Sequence, residues 1–240
     1  MKMITLLVLS LMTAPVLAAP FTPEQEQRIK ELIGETLISN PNILEQSVNA
    51  WQQKANEEQG KQLATFIKAN EKDLYQDPGS PRLGAAKPQL TLVSFTDYNC
   101  PYCKTFDRLL EKIVKNYPQV ALVIKPLPFK GESSLRSAQV ALTLWQQHPD
   151  QFLPFHQRLM AKKGTHDDAS IAAAQKKTGV IAVEPTEQSL DVLRTNLRLA
   201  DQLGIQGTPA TLIGDQMMSG AISYEQLEEQ VKAQLARGAK

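Results

Sequence analysis

Cysteine is nearly absent from this chain: 240 residues hold only two, Cys100 and Cys103. That scarcity excludes a fold stapled by several bridges, which would pair cysteines far apart in sequence. Histidine is scarce too. His148, His156 and His166 are all distant from the cysteines along the chain, which leaves a zinc centre short of ligands. An excess of one charge is also missing. There are 26 Lys and Arg against 25 Asp and Glu, and removing Lys2 with a leader leaves 25 of each. Nothing therefore points to nucleic acid or to a generally acidic partner. No low-complexity tract or exact repeat is present, and the length suits one generous domain or one domain plus an arm.

What is present is concentrated at Cys100-Pro101-Tyr102-Cys103. The run Leu90 to Thr96, rich in β-branched and apolar residues, predicts a buried strand. After the motif, Phe106, Leu109, Leu110, Ile113 and Val114 recur at helical spacing. Cys100 thus falls where a strand hands over to a helix. Unpaired N–H groups and the positive end of the helix dipole favour a thiolate there. Pro101 suits the first helical position, where its missing N–H costs nothing. A bond between the two cysteines closes so small a loop that it constrains the unfolded chain by only about 2 kcal/mol, a poor return for a purely structural bridge. Two thiolates could hold Cu(I). Thiol–disulfide exchange is the reading these residues favour.

Residues 1–18 read as a cleaved export signal: Lys2, then the apolar stretch Ile4 to Met12, then Val16-Leu17-Ala18 before the cut. The apolar part is too short to span a bilayer, and export predicts an oxidising compartment. Residues 19–76 read as a helical arm. Thr22, Pro23 and Gln25 form a helix start. Ile29, Leu32, Ile33 and Leu37 make one apolar seam. After Asn40-Pro41, with Asn40 as a cap, Ile43, Leu44, Val48 and Trp51 make another. Two helices with such narrow seams cannot bury them fully against each other, which predicts an oligomerisation stalk. The polar stretch Asn56 to Gln62 reads as a break able to act as a hinge. Turn residues at Asp77-Pro78-Gly79-Ser80-Pro81, with Gly84 to Pro88, predict a linker over 77–89.

The main domain is expected over 90–240. Gln119 to Pro126 reads as a second strand, so that strand, helix and strand make a parallel βαβ unit with a right-handed crossover. Residues 130–204 are helical in pattern, an insertion closed by Gly204. Thr208-Pro209 precedes a short β-rich run, where Pro209 is either a first strand residue or a cis proline. A hairpin at Asp215-Gln216 and a capping box at Ser223 to Gln226 open the final helix. His156 is expected on a helix and His166 in a loop, both at the solvated surface.

The strand, Cys100-Pro101-Tyr102-Cys103, the helical insertion and Gly207-Thr208-Pro209-Ala210 together resemble the thioredoxin fold. They look most like the DsbA-like thiol–disulfide oxidoreductases of the bacterial periplasm. The arm is similar to that of the suppressor of copper sensitivity protein C group among them. The resemblance implies an α/β thioredoxin-like domain carrying a helical insertion, preceded by an α-helical oligomerisation arm that makes a homotrimer. By it, Cys100 is the nucleophile and Cys103 the resolving thiol, and Thr208-Pro209 matches the loop that pairs with substrate backbone. Pro101 and Tyr102 flank the client. It further implies a periplasmic isomerase or reductase acting on unfolded or misoxidised proteins, kept reduced by a membrane thiol reductase, with no cofactor and a link to copper tolerance. The alternatives are a monomeric dithiol oxidase and a protein that sequesters Cu(I) on Cys100 and Cys103. Two positions depart from the family. Ser94 stands where a buried carboxylate often assists proton transfer, leaving water or Lys125 as acceptor. Tyr102 stands where the most oxidising relatives carry histidine, which predicts a less stabilised thiolate and a less oxidising disulfide.

Overall fold

Alternation along the strands decides how the main domain packs, because successive side chains of a strand point to opposite faces. The structure, a computed structural model, describes residues 21–238, so the expected export signal lies outside the described residues. Strands β1 (Arg82–Gly84), β2 (Leu90–Thr96), β3 (Val120–Pro126), β4 (Ala210–Ile213) and β5 (Gln216–Ser219) form one mixed sheet in the order β1-β3-β2-β4-β5. Strands β2 and β3 run parallel, joined by helix α3 (Pro101–Asn116), and the other pairs are antiparallel. Leu90, Leu92, Leu122, Ile124 and Ile213 enter one apolar cluster with Phe106, Leu110 and Ile113 of α3. Val93, Phe95, Val123 and Leu212 enter a second, on the opposite face. Both faces of β2 and β3 are buried, as their near-continuous apolar runs require.

Between β3 and β4 lie α4 (Glu132–Gln147), α5 (Pro149–Ala161), α6 (Asp168–Thr178) and α7 (Glu187–Gln202), the expected helical insertion. Phe152, Phe155, Leu159 and Leu193 from these helices complete the first cluster. Leu199 and Ala200 of α7 belong to the second. Helix α8 (Tyr224–Gly238) places Leu227 and Val231 in the first cluster.

The stretch 77–89 is not a linker. It contributes β1, held antiparallel to β3 with Leu83 opposite Leu122, and Ser80 is buried. Its turn residues are used inside the domain. Gly84 takes φ +87°, and a Cβ there would come within 2.5 Å of the Val120 carbonyl oxygen, so only glycine fits this close crossing.

The chain divides into two compact units at Asn56 and Glu57. In the first, α1 (Pro23–Ser39) begins with the anticipated capping box between Thr22 and Gln25, with Pro23 in the first turn. Asn40 caps the end of α1 rather than the start of the next helix: its amide donates to the Thr36 carbonyl at 3.0 Å. Helix α2 (Asn42–Ala69) runs unbroken through the stretch expected as a break. Glu57, Glu58, Gln59, Lys61 and Gln62 dominate there and are strong helix formers that outweigh Gly60. The apolar residues Ile29, Leu32, Ile33, Leu44, Val48 and Trp51 are exposed. In the second unit, Leu63, Phe66 and Ile67 pack on the second cluster.

Candidate active site

Cys100 is the N-cap of α3, with Pro101 in the first turn. The loop that delivers it is fixed by two short polar residues. Asp97 accepts from the Asn99 backbone N–H at 2.7 Å, from the Ser134 hydroxyl at 2.7 Å and from the Lys130 N–H at 3.0 Å. Its own carbonyl accepts from the Cys100 N–H at 3.0 Å. The Asn99 amide donates to Ser133 Oγ, and its oxygen accepts from the His166 N–H, both at 2.7 Å. The loop is therefore tied to the start of α4 and to the segment before α6.

The structure brings the expected residues together. The Thr208–Pro209 peptide bond is cis, and the Thr208 carbonyl oxygen lies 3.2 Å from Cys100 Sγ. Both cysteines are thiols. Only 3% of Cys100 and 1% of Cys103 reaches solvent, while Tyr102 between them is 69% exposed. Burial pushes the Cys103 thiol up to about 12, against hydrogen bonds involving Thr208, Thr96 and the Asp97 backbone that pull it down. Cys103 thus stays a neutral thiol at physiological pH. A groove of about 610 Å³ opens at Cys100, lined by Pro101, Tyr102, Phe129, Lys130 and Thr208 among others.

Lys125 does not serve the thiols. It shares the parity of Val123, on the sheet face away from α3. Its ammonium meets Ser80 Oγ at 2.9 Å, Asn196 Oδ1 at 3.3 Å and Asp77 Oδ2 at 3.5 Å. Burial lowers its pKa, and the Asp77 carboxylate opposes that. Ser94 sits on the α3 face instead, paired across the ladder with Thr211.

Two histidines expected at the surface are buried. His156 Nδ1 lies 2.9 Å from the Tyr98 hydroxyl, and its Nε2 lies 3.1 Å from Asp107 Oδ1. Burial pulls the imidazole pKa down, but Asp107, through its charge and hydrogen bond and with help from Glu111, more than offsets this and raises it. The chain Tyr98–His156–Asp107 joins the loop before Cys100 to α5 and α3. A signal for it existed: Asp107 shares the inward face of α3 with Cys103, Phe106 and Leu110, and a charge there demands a partner. His166 donates from Nε2 to the Leu159 carbonyl at 3.0 Å. Burial, with the charges of Lys104 and Lys162, lowers its pKa to about 4 against that hydrogen bond.

Comparison with known proteins places this geometry. Residues 91–232 match the DSBA-like thioredoxin domain, and residues 25–58 match the copper resistance protein ScsC N-terminal domain. A crystal structure of Proteus mirabilis ScsC in a transitional conformation is 51% identical, covers 90% of this chain and 100% of its own, and superposes with a TM-score of 0.71. A periplasmic thioredoxin-like protein from Salmonella enterica serovar Typhimurium is 56% identical over 69% of this chain and 95% of its own, with a TM-score of 0.68. Disulfide bond formation protein D of Bacillus subtilis is 26% identical over 65% of this chain and 78% of its own length. The domain match spans more than half of the chain, and the ScsC structure is half identical over nearly all of it: the chain belongs to the DSBA-like thioredoxin domain family and is a thiol–disulfide oxidoreductase of the DsbA and ScsC kind.

Proposed function

We propose that this oxidoreductase works as a disulfide isomerase or reductase on misoxidised exported proteins, in the periplasm after removal of residues 1–18. Cys100 is the nucleophile. As thiolate it attacks a client disulfide, forming a mixed disulfide and releasing the partner sulfur as a thiolate that takes up a proton. Cys103, held neutral by burial, attacks only once that intermediate exists. It then frees the client reduced, or a second client thiol displaces Cys100 and completes a rearrangement. A membrane thiol reductase returns the oxidised Cys100–Cys103 pair to the dithiol. Pro101, Tyr102, Thr208 and Pro209 hold the client strand against the thiol.

The observation that carries the isomerase reading over a simple oxidase is the exposed apolar seam of the first unit, with Trp51 67% exposed. A seam of this kind is completed by further copies of the chain. Three catalytic domains on one homotrimeric stalk hold a misfolded client through multivalency, which rearrangement needs and rapid oxidation does not. Copper tolerance follows as repair of copper-oxidised disulfides. The test is refolding of scrambled ribonuclease beside insulin reduction. Activity in the first that disappears in Cys100→Ser supports the reading. Dithiol oxidation without rearrangement supports the oxidase, and tight stoichiometric Cu(I) binding without refolding supports sequestration.

A further inference from the structure

Charge is balanced over the whole chain but not beside Cys100. A second hollow, of about 580 Å³, shares Pro101 with the client groove. Its lining contains Lys104, Arg108, Lys162 and Lys163 and no carboxylate. Its walls are pinned in place. The Lys104 ammonium donates to the carbonyls of Lys162 and Gly164, each at 2.6 Å, and the Lys162 ammonium donates to the Thr165 carbonyl. Three carboxylates outside the lining offset part of this charge, Asp97 acting on Lys104, Glu111 on Arg108 and Asp167 on Lys162. Asp97 is saturated by the loop bonds described above, and Glu111, one turn beyond Arg108, accepts from Gln157 at 2.7 Å. Two groups register the excess of positive charge. Burial and then the Lys162 charge lower the Lys104 pKa against the Asp97 carboxylate, and the charges of Lys104 and Lys162 add to burial in lowering that of His166 against the Leu159 hydrogen bond and Asp167.

We propose that this hollow receives an acidic side chain of the client polypeptide, a few residues from the client cysteine engaged at Cys100. The inference rests on the thiol chemistry proposed above and names the clients it favours. Because Pro101 borders both cavities, an extended client crossing Cys100 has Tyr102 and Phe129 beside it in one and four cations in the other. Extended chain covers about 3.3 Å per residue, so the hollow is within reach of the residues that flank the cysteine. A carboxylate there meets four cations in a lining that holds no acid of its own. Complementarity of this kind acts on encounter rate and selectivity more than on raw affinity. The client is therefore read in two halves, against Tyr102, Phe129 and the single cation Lys130 on one side of its cysteine and against four cations on the other.

The experiment uses the reduced full-length protein and short peptides. Each peptide carries one cysteine as a mixed disulfide with a chromogenic thiol, flanked by Glu, Gln or Lys on one side or the other. The Glu peptide of one set should react about fivefold faster than its Lys counterpart at low ionic strength, with the ratio collapsing at about 0.5 M salt, where the screening length is only a few ångströms. In the double variant Arg108→Gln, Lys163→Gln, at two exposed positions, the ratio should fall below about twofold. Equal rates for the three peptides, or a preference surviving in the double variant, would overturn the proposal. So would a variant-sensitive rate with glutathione disulfide beside charge-blind peptides, which would assign the hollow to a small anionic thiol. Anisotropy of the same peptides with serine for cysteine separates the two inferences. Charge preference there without any thiol reaction keeps the hollow and removes the redox reading, and thiol reaction without charge preference does the reverse.

Discussion

Cys103 and Cys100 differ in environment although three positions apart, and the difference sets the order of events. Cys103, pushed up to about 12 by burial, is a poor nucleophile until a mixed disulfide forms beside it. Cys103→Ser should therefore accumulate covalent adducts with client thiols, visible on non-reducing gels, and Cys100→Ser should give none. Tyr102 bears on the potential of the pair. In Tyr102→His an imidazolium beside the leaving thiolate stabilises the reduced form, and the measured reduction potential should rise by about 30 mV, a tenfold change in equilibrium constant. An unchanged potential would remove the account of why tyrosine stands there. His166 gives the pH dependence a sign. Its pKa is about 4 when folded and about 6.5 when unfolded. The two states bind protons equally above 6.5. As pH falls from 6.5 towards 4 the unfolded chain takes up the proton first, so stability declines over that window and levels off below it. Urea midpoints measured from pH 7 to pH 4 should show the decline, and His166→Gln should flatten it. These roles could not be read from the sequence, because histidine suits both a solvated loop and a buried one. What chose burial was the Leu159 carbonyl, seven residues away on α5.

At the scale of elements, the placement of α3 rests on apolar and polar contacts made by its inward face. Leu110 and Ile113 bind it to the sheet, and Asp107 binds it through His156 to α5 and Tyr98. Removing one member of a buried pair leaves the other charged and unmatched, so His156→Leu should cost about 3 kcal/mol. The double variant Asp107→Leu, His156→Leu should cost less than the sum of its singles, as chemical denaturation of the three variants would establish. Additivity would show that the pair does not act as a unit. Periodicity had marked α3, β2, β3 and the inserted helices well, since period 2 and period 3.6 are written directly into residue type. It missed β1, a strand of three residues between turns. So short a strand exists only because β3 presents an unpaired edge beside it. The expected break after Asn56 was misjudged for a related reason: a polar stretch of good helix formers continues a helix as readily as it ends one.

The whole molecule joins a redox domain to a helical unit whose apolar side chains face outward. Ile29, Leu32, Leu44 and Val48 are exposed, a patch of the kind that marks an interaction site. Leu44→Glu with Val48→Glu should lower the sedimenting mass of the full chain towards one subunit. Insulin reduction should persist, and refolding of scrambled ribonuclease should drop severalfold, as expected when multivalent holding is lost. A protein that sediments as a single subunit before substitution would remove the stalk. What the sequence by itself determined is the part carried by local patterns: the strand, the motif and helix after it, the capping boxes, and the pairing of two lone cysteines with a proline before a short strand. Tertiary structure alone decided which face each buried charge would occupy. It turned Lys125 away from the thiols, drew His156 to Asp107, and gathered four cations from α3 and the loop after α5 next to Cys100. Those outcomes depend on which distant segments the sheet brings together, and no spacing along the chain encodes the partner a buried charge will meet.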